Sequence, residues 1–397
     1  MSPYLQEETY KNTRQPTERA LSLIPDAYTD NDFFALEQRQ AFGRNWVCAG
    51  PVARVMNGGD IMVAEVGGQS IIITRDEAGA LRAFYNVCRH RGTRLCEKDG
   101  HVKKHIVCPY HGWGYNLRGD CVGTPLFDKG ENRRAIKMHD MSHLESFDKK
   151  DYGLFPVRVD QWGAMLFVCL DNEAPPLSAV VGDLPERLAN FRMDEWRVLN
   201  ERTYDIRCNW KLLCENAIEY YHLPWVHPRL AKTSRIADHH RWQGAGMYCG
   251  ICTSPVTATD DSGWLSMKNL SGLNEEQQIS GYFFCVFPNL IVFIMPSHAF
   301  VLKSHPITST RTIEQTWLIA HPECVADAND KTLGEVMQFW DDVNMEDVGI
   351  CEKVQQGLTA KPYSGGRFCY QFEEPVHRFQ NMLIDSMTSR RHIPPGD

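Results

Sequence analysis

Cys88-Arg-His-Arg-Gly92 and Cys108-Pro-Tyr-His-Gly-Trp113 repeat one ligand grammar, with 17 residues between His90 and Cys108. Each segment offers one Cys and one His in a loop rich in Gly or Pro. Such a pair can hold a two-iron, two-sulfide cluster, with thiolates Cys88 and Cys108 on one iron and imidazoles His90 and His111 on the other. Exchanging two anionic thiolates for neutral imidazoles raises the cluster potential to roughly −150 to +300 mV. That range suits an electron relay, which does no substrate chemistry of its own. A Cys2His2 set also serves zinc, but zinc fingers usually pair Cys with Cys and His with His, whereas here each loop mixes them.

The segments Cys-x-His-Arg-Gly and Cys-Pro-Tyr-His-Gly-Trp resemble the Rieske iron–sulfur family. Around them the chain reads as short strands and Gly-rich turns: Ile61–Val66 between Gly58-Gly59 and Gly67-Gly68, a buried strand Ser70–Thr74, and a turn from Asp76 to Gly79. A strand from Gly163 to Leu170 closes the module, and Asn172-Glu-Ala-Pro-Pro-Leu reads as a linker. Upstream, residues 1–30 read as loosely ordered, and Asp32 to Phe42 has helical spacing. The expected organisation is an N-terminal arm and helix (1–40), an all-β Rieske domain (41–175) and a catalytic domain (176–397).

Composition narrows the classes. The chain has 397 residues, 43% hydrophobic and 23% charged, ordinary for a globular protein of two or three domains. A net charge of −8 argues against a nucleic-acid partner. Fourteen Cys in such a length are not a disulfide framework. The polar segment after Met1 shows no secretory signal, so a reducing cytoplasm is the expected compartment. Tyr282 to Leu302 is the most apolar stretch, but Pro288, Asn289 and Pro296 break it. It reads as two buried strands turning at Pro288-Asn289, with no membrane span expected.

A second centre is expected downstream. Arg207 to Tyr221 reads as a helix, and His222 and His227 follow five apart around Pro224, which is expected to end or distort the helix so that both rings converge. Two imidazoles and one carboxylate make the facial triad of non-haem ferrous oxygenases, with positions open for O2. The helix expected from Leu333 to Val354 offers Asp341, Asp342, Glu346 and Asp347, a run that would otherwise read as a solvated face. The block Glu346-Asp-Val-Gly-Ile-Cys-Glu-Lys-Val-Gln-Gln-Gly-Leu resembles the third-ligand segment of Rieske oxygenases and points to Asp347. Together the motifs resemble the catalytic α-subunit of a Rieske non-haem iron oxygenase, which implies an α+β fold: an all-β [2Fe-2S] domain, then a helix-grip domain with an antiparallel sheet. A Rieske electron carrier would be about the size of the first domain alone.

The resemblance further implies a homotrimer in which each cluster serves the Fe(II) of a neighbouring subunit, with Glu219 bridging a cluster His and an iron His between them. It implies O2 as co-substrate. No G-x-G-x-x-G follows a strand, so NAD(P)H would be oxidised by a separate flavin and iron–sulfur reductase; Arg89, Arg91 and Arg94 are candidates either to dock it or to brace the cluster loop. Glu at position 219, with Glu352-Lys-Val-Gln-Gln-Gly-Leu and Tyr363-Ser-Gly-Gly-Arg367, is similar to the branch that oxidises choline, carnitine and betaines, although Gln356 stands where Arg is more frequent. The expected reaction is hydroxylation beside a quaternary nitrogen, giving N-demethylation or N-dealkylation; the alternative is hydroxylation or O-demethylation of a carboxylated arene. A quaternary ammonium group is held by aromatic faces, for which Tyr220, Tyr221, Trp225, Trp264, Phe283, Phe293 and Phe300 are candidates. Cys249-Gly-Ile-Cys252 reads as structural, His239-His240 as a loop or surface pair, and the segment after Ser389 as a frayed tail.

Overall fold

A computed structural model describes residues 2–125, 147–256 and 267–396. It contains two compact units, Ala49–Gln161 with Leu166–Asn172, and Met1–Cys48 with Trp162–Met165 and Glu173–Asp397.

The first unit is built on strands. Asp60–Val66, Gln69–Arg75 and Leu81–Tyr85 form an antiparallel meander. Gly67 and Gly68 join the first two, both at positive φ (56° and 74°), which a two-residue turn matching the strand twist requires and L side chains resist. The β-branched residues Ile61 and Ile72 pack with Phe84, Ile106, Trp113 and Tyr115 in a core that encloses Cys88 and Cys108. A smaller sheet, His105–Val107, Gly114–Asn116 and Cys121–Gly123, carries the second Cys/His loop at its first turn.

In the second unit seven antiparallel strands run in the order 197–206, 311–320, 299–308, 290–294, 281–286, 248–253, 239–241. The apolar stretch at 282–302 holds parts of three strands, not the two expected: Pro296 makes a second turn and Ala299–Thr308 begins beyond it. The turn at Pro288-Asn289 lies where expected, between Gly281–Val286 and Leu290–Ile294. The long helix Asp330–Gly357 starts at Asn329, whose side chain accepts from the Thr332 N–H. Both termini are more ordered than their composition suggests. Tyr10 and Leu23 are buried, and Arg14 reaches Asp385 at 2.6 Å and Asn381 at 2.8 Å. The segment after Ser389 is irregular but tied down, with the Gly246 N–H donating to the Pro394 carbonyl at 3.3 Å and His392 meeting Asp385 at 3.1 Å. Among the described residues, no helix is long and apolar enough to cross a membrane.

Candidate metal centres and substrate pocket

The two Cys/His loops share one backbone design. The Cys88 N–H donates to Thr93 and the Gly92 N–H to Cys88; the Cys108 N–H donates to Trp113 and the Gly112 N–H to Cys108, all at 2.8–3.1 Å. Gly92 and Gly112 sit at φ 74° and 72° to close these turns. Both Cys are buried, and the rings of His90 and His111 lie 4.7 Å apart at 71°. Trp113 stacks on His90 at 4.9 Å, and the Tyr115 hydroxyl meets Cys88 Sγ at 3.3 Å. Burial opposes a thiolate at Cys108, but hydrogen bonds from the Tyr110 and His111 N–H groups hold its pKa below the ordinary value. Two inward sulfurs and two outer imidazoles on matched loops fit a [2Fe-2S] group. Two of the nearby arginines have partners within the domain: Arg89 donates to the Gly153 carbonyl and lies over Phe155 at 4.0 Å, while Arg94 pairs with Glu65 at 2.8 Å.

The second centre departs from the expected local structure. The helix is only Trp210–Ala217, started by Asn209, whose side chain accepts from Lys211 N. Pro224 does not end that helix. It lies in the first turn of a separate one-turn helix, Leu223–Val226, where a missing N–H costs nothing. His222 caps the start of this turn and His227 its end, which is how rings five residues apart converge: their centroids are 5.1 Å apart.

Asp347 arrives from the long helix. Its Oδ1 lies 2.8 Å from His227 Nε2 and 3.6 Å from His222 Nε2. One ligand atom from each of the three residues falls within 4.8 Å of the others, a set that can hold a metal ion and whose two imidazoles and carboxylate suit ferrous iron. The outer nitrogens are also held: His222 Nδ1 by Glu219, and His227 Nδ1 by Glu346 at 2.7 Å. Burial opposes charge on both imidazoles, but the facing carboxylates outweigh it, so both pKa values rise, His227 to about 9. The acidic run is therefore not a plain solvated face. Asp341 takes Arg202 and Tyr204, and Glu352 takes Arg207, which fastens the helix to the first strand of the sheet and its end.

Beside this centre is a pocket with about 40 Å³ of free space, lined by Phe283, Phe293, Trp340 and His239 among others. Strand register builds its floor: Ile251, Phe283, Phe293 and Phe300 are successive cross-strand partners. Trp340 lies against Phe293 at 5.7 Å and stacks on Phe300 at 5.7 Å, its N–H spent on His298 Nε2 at 2.8 Å. Burial pushes His298 down to about 3, so it stays an acceptor. A separate cavity of about 350 Å³ shares Asn216, Glu219 and His222 with the pocket. Of the aromatic candidates, Phe283 and Phe293 line the pocket and Phe300 backs it. Tyr220 stacks on His239, whereas Tyr221 and Trp225 are exposed; Trp264 lies outside the described residues. Sequence reasoning missed Trp340, although Trp340, Val343 and Asp347 at spacings of three and four share a helix face. It also placed His239 in a loop or at the surface; the residue instead sits on the edge strand His239–Arg241 and turns into the pocket.

The Rieske [2Fe-2S] domain model matches residues 45–148, and that of the ring hydroxylating alpha subunit (catalytic domain) matches residues 193–389. The chain belongs to the Rieske non-haem iron oxygenases. It is an α+β enzyme of that family, whose domains imply a Rieske cluster and a mononuclear iron. This oxygenase is 26% identical to the glycine betaine monooxygenase oxygenase subunit of Pseudomonas aeruginosa, over 93% of this chain and 90% of the relative. It is 25% identical to the carnitine monooxygenase oxygenase subunit of Acinetobacter pittii, over 85% of each. Its fold is similar to that of the quaternary ammonium Rieske monooxygenase CntA in complex with L-carnitine, with TM-score 0.76, 21% identity and coverage of 96% and 99%.

Proposed function

We propose that this oxygenase hydroxylates a C–H bond next to the quaternary nitrogen of a betaine-like compound, and that the resulting carbinolamine breaks into an aldehyde and the shorter amine. The observation that carries the reading is the pocket itself. Phe283, Phe293 and Trp340 offer aromatic faces, and no Lys or Arg is among its described lining residues. Such a wall favours a cation without N–H groups. The named activities of the glycine betaine and carnitine relatives support the same class.

In this reading Cys88, His90, Cys108 and His111 hold the cluster, and His222, His227 and Asp347 hold Fe(II). The cluster supplies electrons and the iron supplies reductive activation of O2. Glu219 and Glu346 fix the imidazole tautomers so that both Nε2 atoms face Asp347. Glu219, whose Oε1 faces His222 Nδ1 and whose Oε2 accepts from the Tyr221 and His222 N–H groups, also bridges to a cluster histidine of a neighbouring subunit in a homotrimer. Electrons come from NAD(P)H through a separate flavin and iron–sulfur reductase, in the cytoplasm.

The test is to supply the purified protein with reductase, NADH and a panel of betaines. Formaldehyde and the demethylated amine are expected in equal amounts. A cis-diol or phenol from a carboxylated arene, with no turnover of any betaine, overturns the reading.

A further inference from the structure

We infer that His239 is an aromatic wall for the cationic head group, and so a specificity-determining residue; the inference rests on the substrate class proposed above. His239 Nδ1 lies 2.8 Å from the Arg235 carbonyl, which can only accept, so Nδ1 carries a proton. Nε2 lies 3.1 Å from Ser234 Oγ, which itself meets Thr253 Oγ1 at 3.0 Å. Both ring nitrogens are therefore committed to protein partners, and what the ring offers a ligand is carbon. Tyr220 stacks on one face, with centroids 4.8 Å apart and planes 17° apart, and His239 is among the residues that line the pocket.

Position supports this role. His239 pairs with Thr253 in the sheet, and Thr253 shares a strand face with Ile251, which belongs to the pocket-floor row. His240, one residue on, points to the exposed side. Burial, the largest influence, lowers the His239 pKa and so disfavours a charge that would repel a cation. The imidazole completes, with Phe283, Phe293 and Trp340, an aromatic surface suited to a methylated ammonium group.

The experiment compares dissociation constants of glycine betaine and of its uncharged isostere 3,3-dimethylbutanoate, measured calorimetrically on the full-length iron-loaded protein. The two ligands share shape and carboxylate and differ in the positive charge. The wild type is expected to prefer glycine betaine. In His239→Leu the preference should fall by roughly 2- to 30-fold, the range of one cation–π contact. His239→Gln, which keeps polar contacts but lacks a ring, should fall likewise, while His239→Phe keeps the preference. An unchanged preference in Leu and Gln overturns the inference, as does a His239→Phe variant that loses as much as they do. No preference in the wild type overturns both this inference and the quaternary ammonium reading.

Discussion

Asp347 Oδ1 lies 2.8 Å from His227 Nε2 and 3.6 Å from His222 Nε2, so one carboxylate oxygen faces the inner nitrogens of both imidazoles. With the two rings alone, a metal loses its anionic ligand. Asp347→Ala should therefore lose the mononuclear iron and turnover, while the cluster loops remain intact. Iron and acid-labile sulfide analysis reads this directly: iron should fall, sulfide and the visible cluster spectrum should not. Full iron retention would remove Asp347 from the proposed ligand set.

Glu346 accepts from His227 Nδ1 at 2.7 Å, and its carboxylate is 43% exposed while the ring is only 2% exposed. It fixes which nitrogen faces Asp347 without approaching the substrate. Glu346→Ala should weaken iron binding about 10- to 100-fold, the usual effect of removing such a partner, and Glu346→Gln, which can still accept, should recover much of it. Competition with a chelator measures the change. Equal retention by all three proteins would mean that ring packing alone orients His227.

These two carboxylates show what could be read in the sequence. The Cys/His loops were legible because local spacing and positive-φ glycines fix each loop by itself. The β-branched and aromatic run at 282–302 made buried strands and their turn legible, whereas the antiparallel sheet as a whole followed from the resemblance. The approach of Asp347 to His222 and His227, more than a hundred positions earlier, is tertiary, and only the resemblance singled it out from four acids. The shape of the 210–227 segment was misread because Pro224 is as much at home in a first helical turn as it is disruptive in an interior one. His239 was misplaced because its environment comes from Tyr220 and Ser234, which local pattern does not bring together.

Lys211 Nζ and Glu37 Oε1 meet at 2.7 Å with both side chains fully buried, and Trp210 Nε1 donates to the other Glu37 oxygen at 2.8 Å. This pair fastens the helix Asn31–Glu37 to the segment that leads to His222. Removing one partner strands a buried charge, so Lys211→Met should destabilise by about 3–5 kcal/mol. The double variant Lys211→Met with Glu37→Leu removes both charges and should regain much of the loss. Urea unfolding of the three proteins measures it. A double variant no more stable than the single would show that the pair contributes through packing and not through charge.

Glu314 gives the pH dependence. It is 1% exposed, and Asn344 donates to its Oε2 at 2.8 Å. Burial raises its pKa to about 7, against the lowering effect of the Asn344 bond. A folded pKa above the unfolded one means that the native state binds the extra proton between about pH 4.5 and 7. This stabilising term is complete below the unfolded pKa and is lost as pH rises through the folded one. Glu314→Gln cannot ionise and so escapes the loss. The stability of the variant relative to wild type should therefore increase from pH 5 to pH 8, by up to about 3 kcal/mol, whatever fixed offset the amide introduces. Melting temperatures of both proteins across that range provide the check. A difference that stays constant with pH would show that Glu314 is ionised in the native protein throughout.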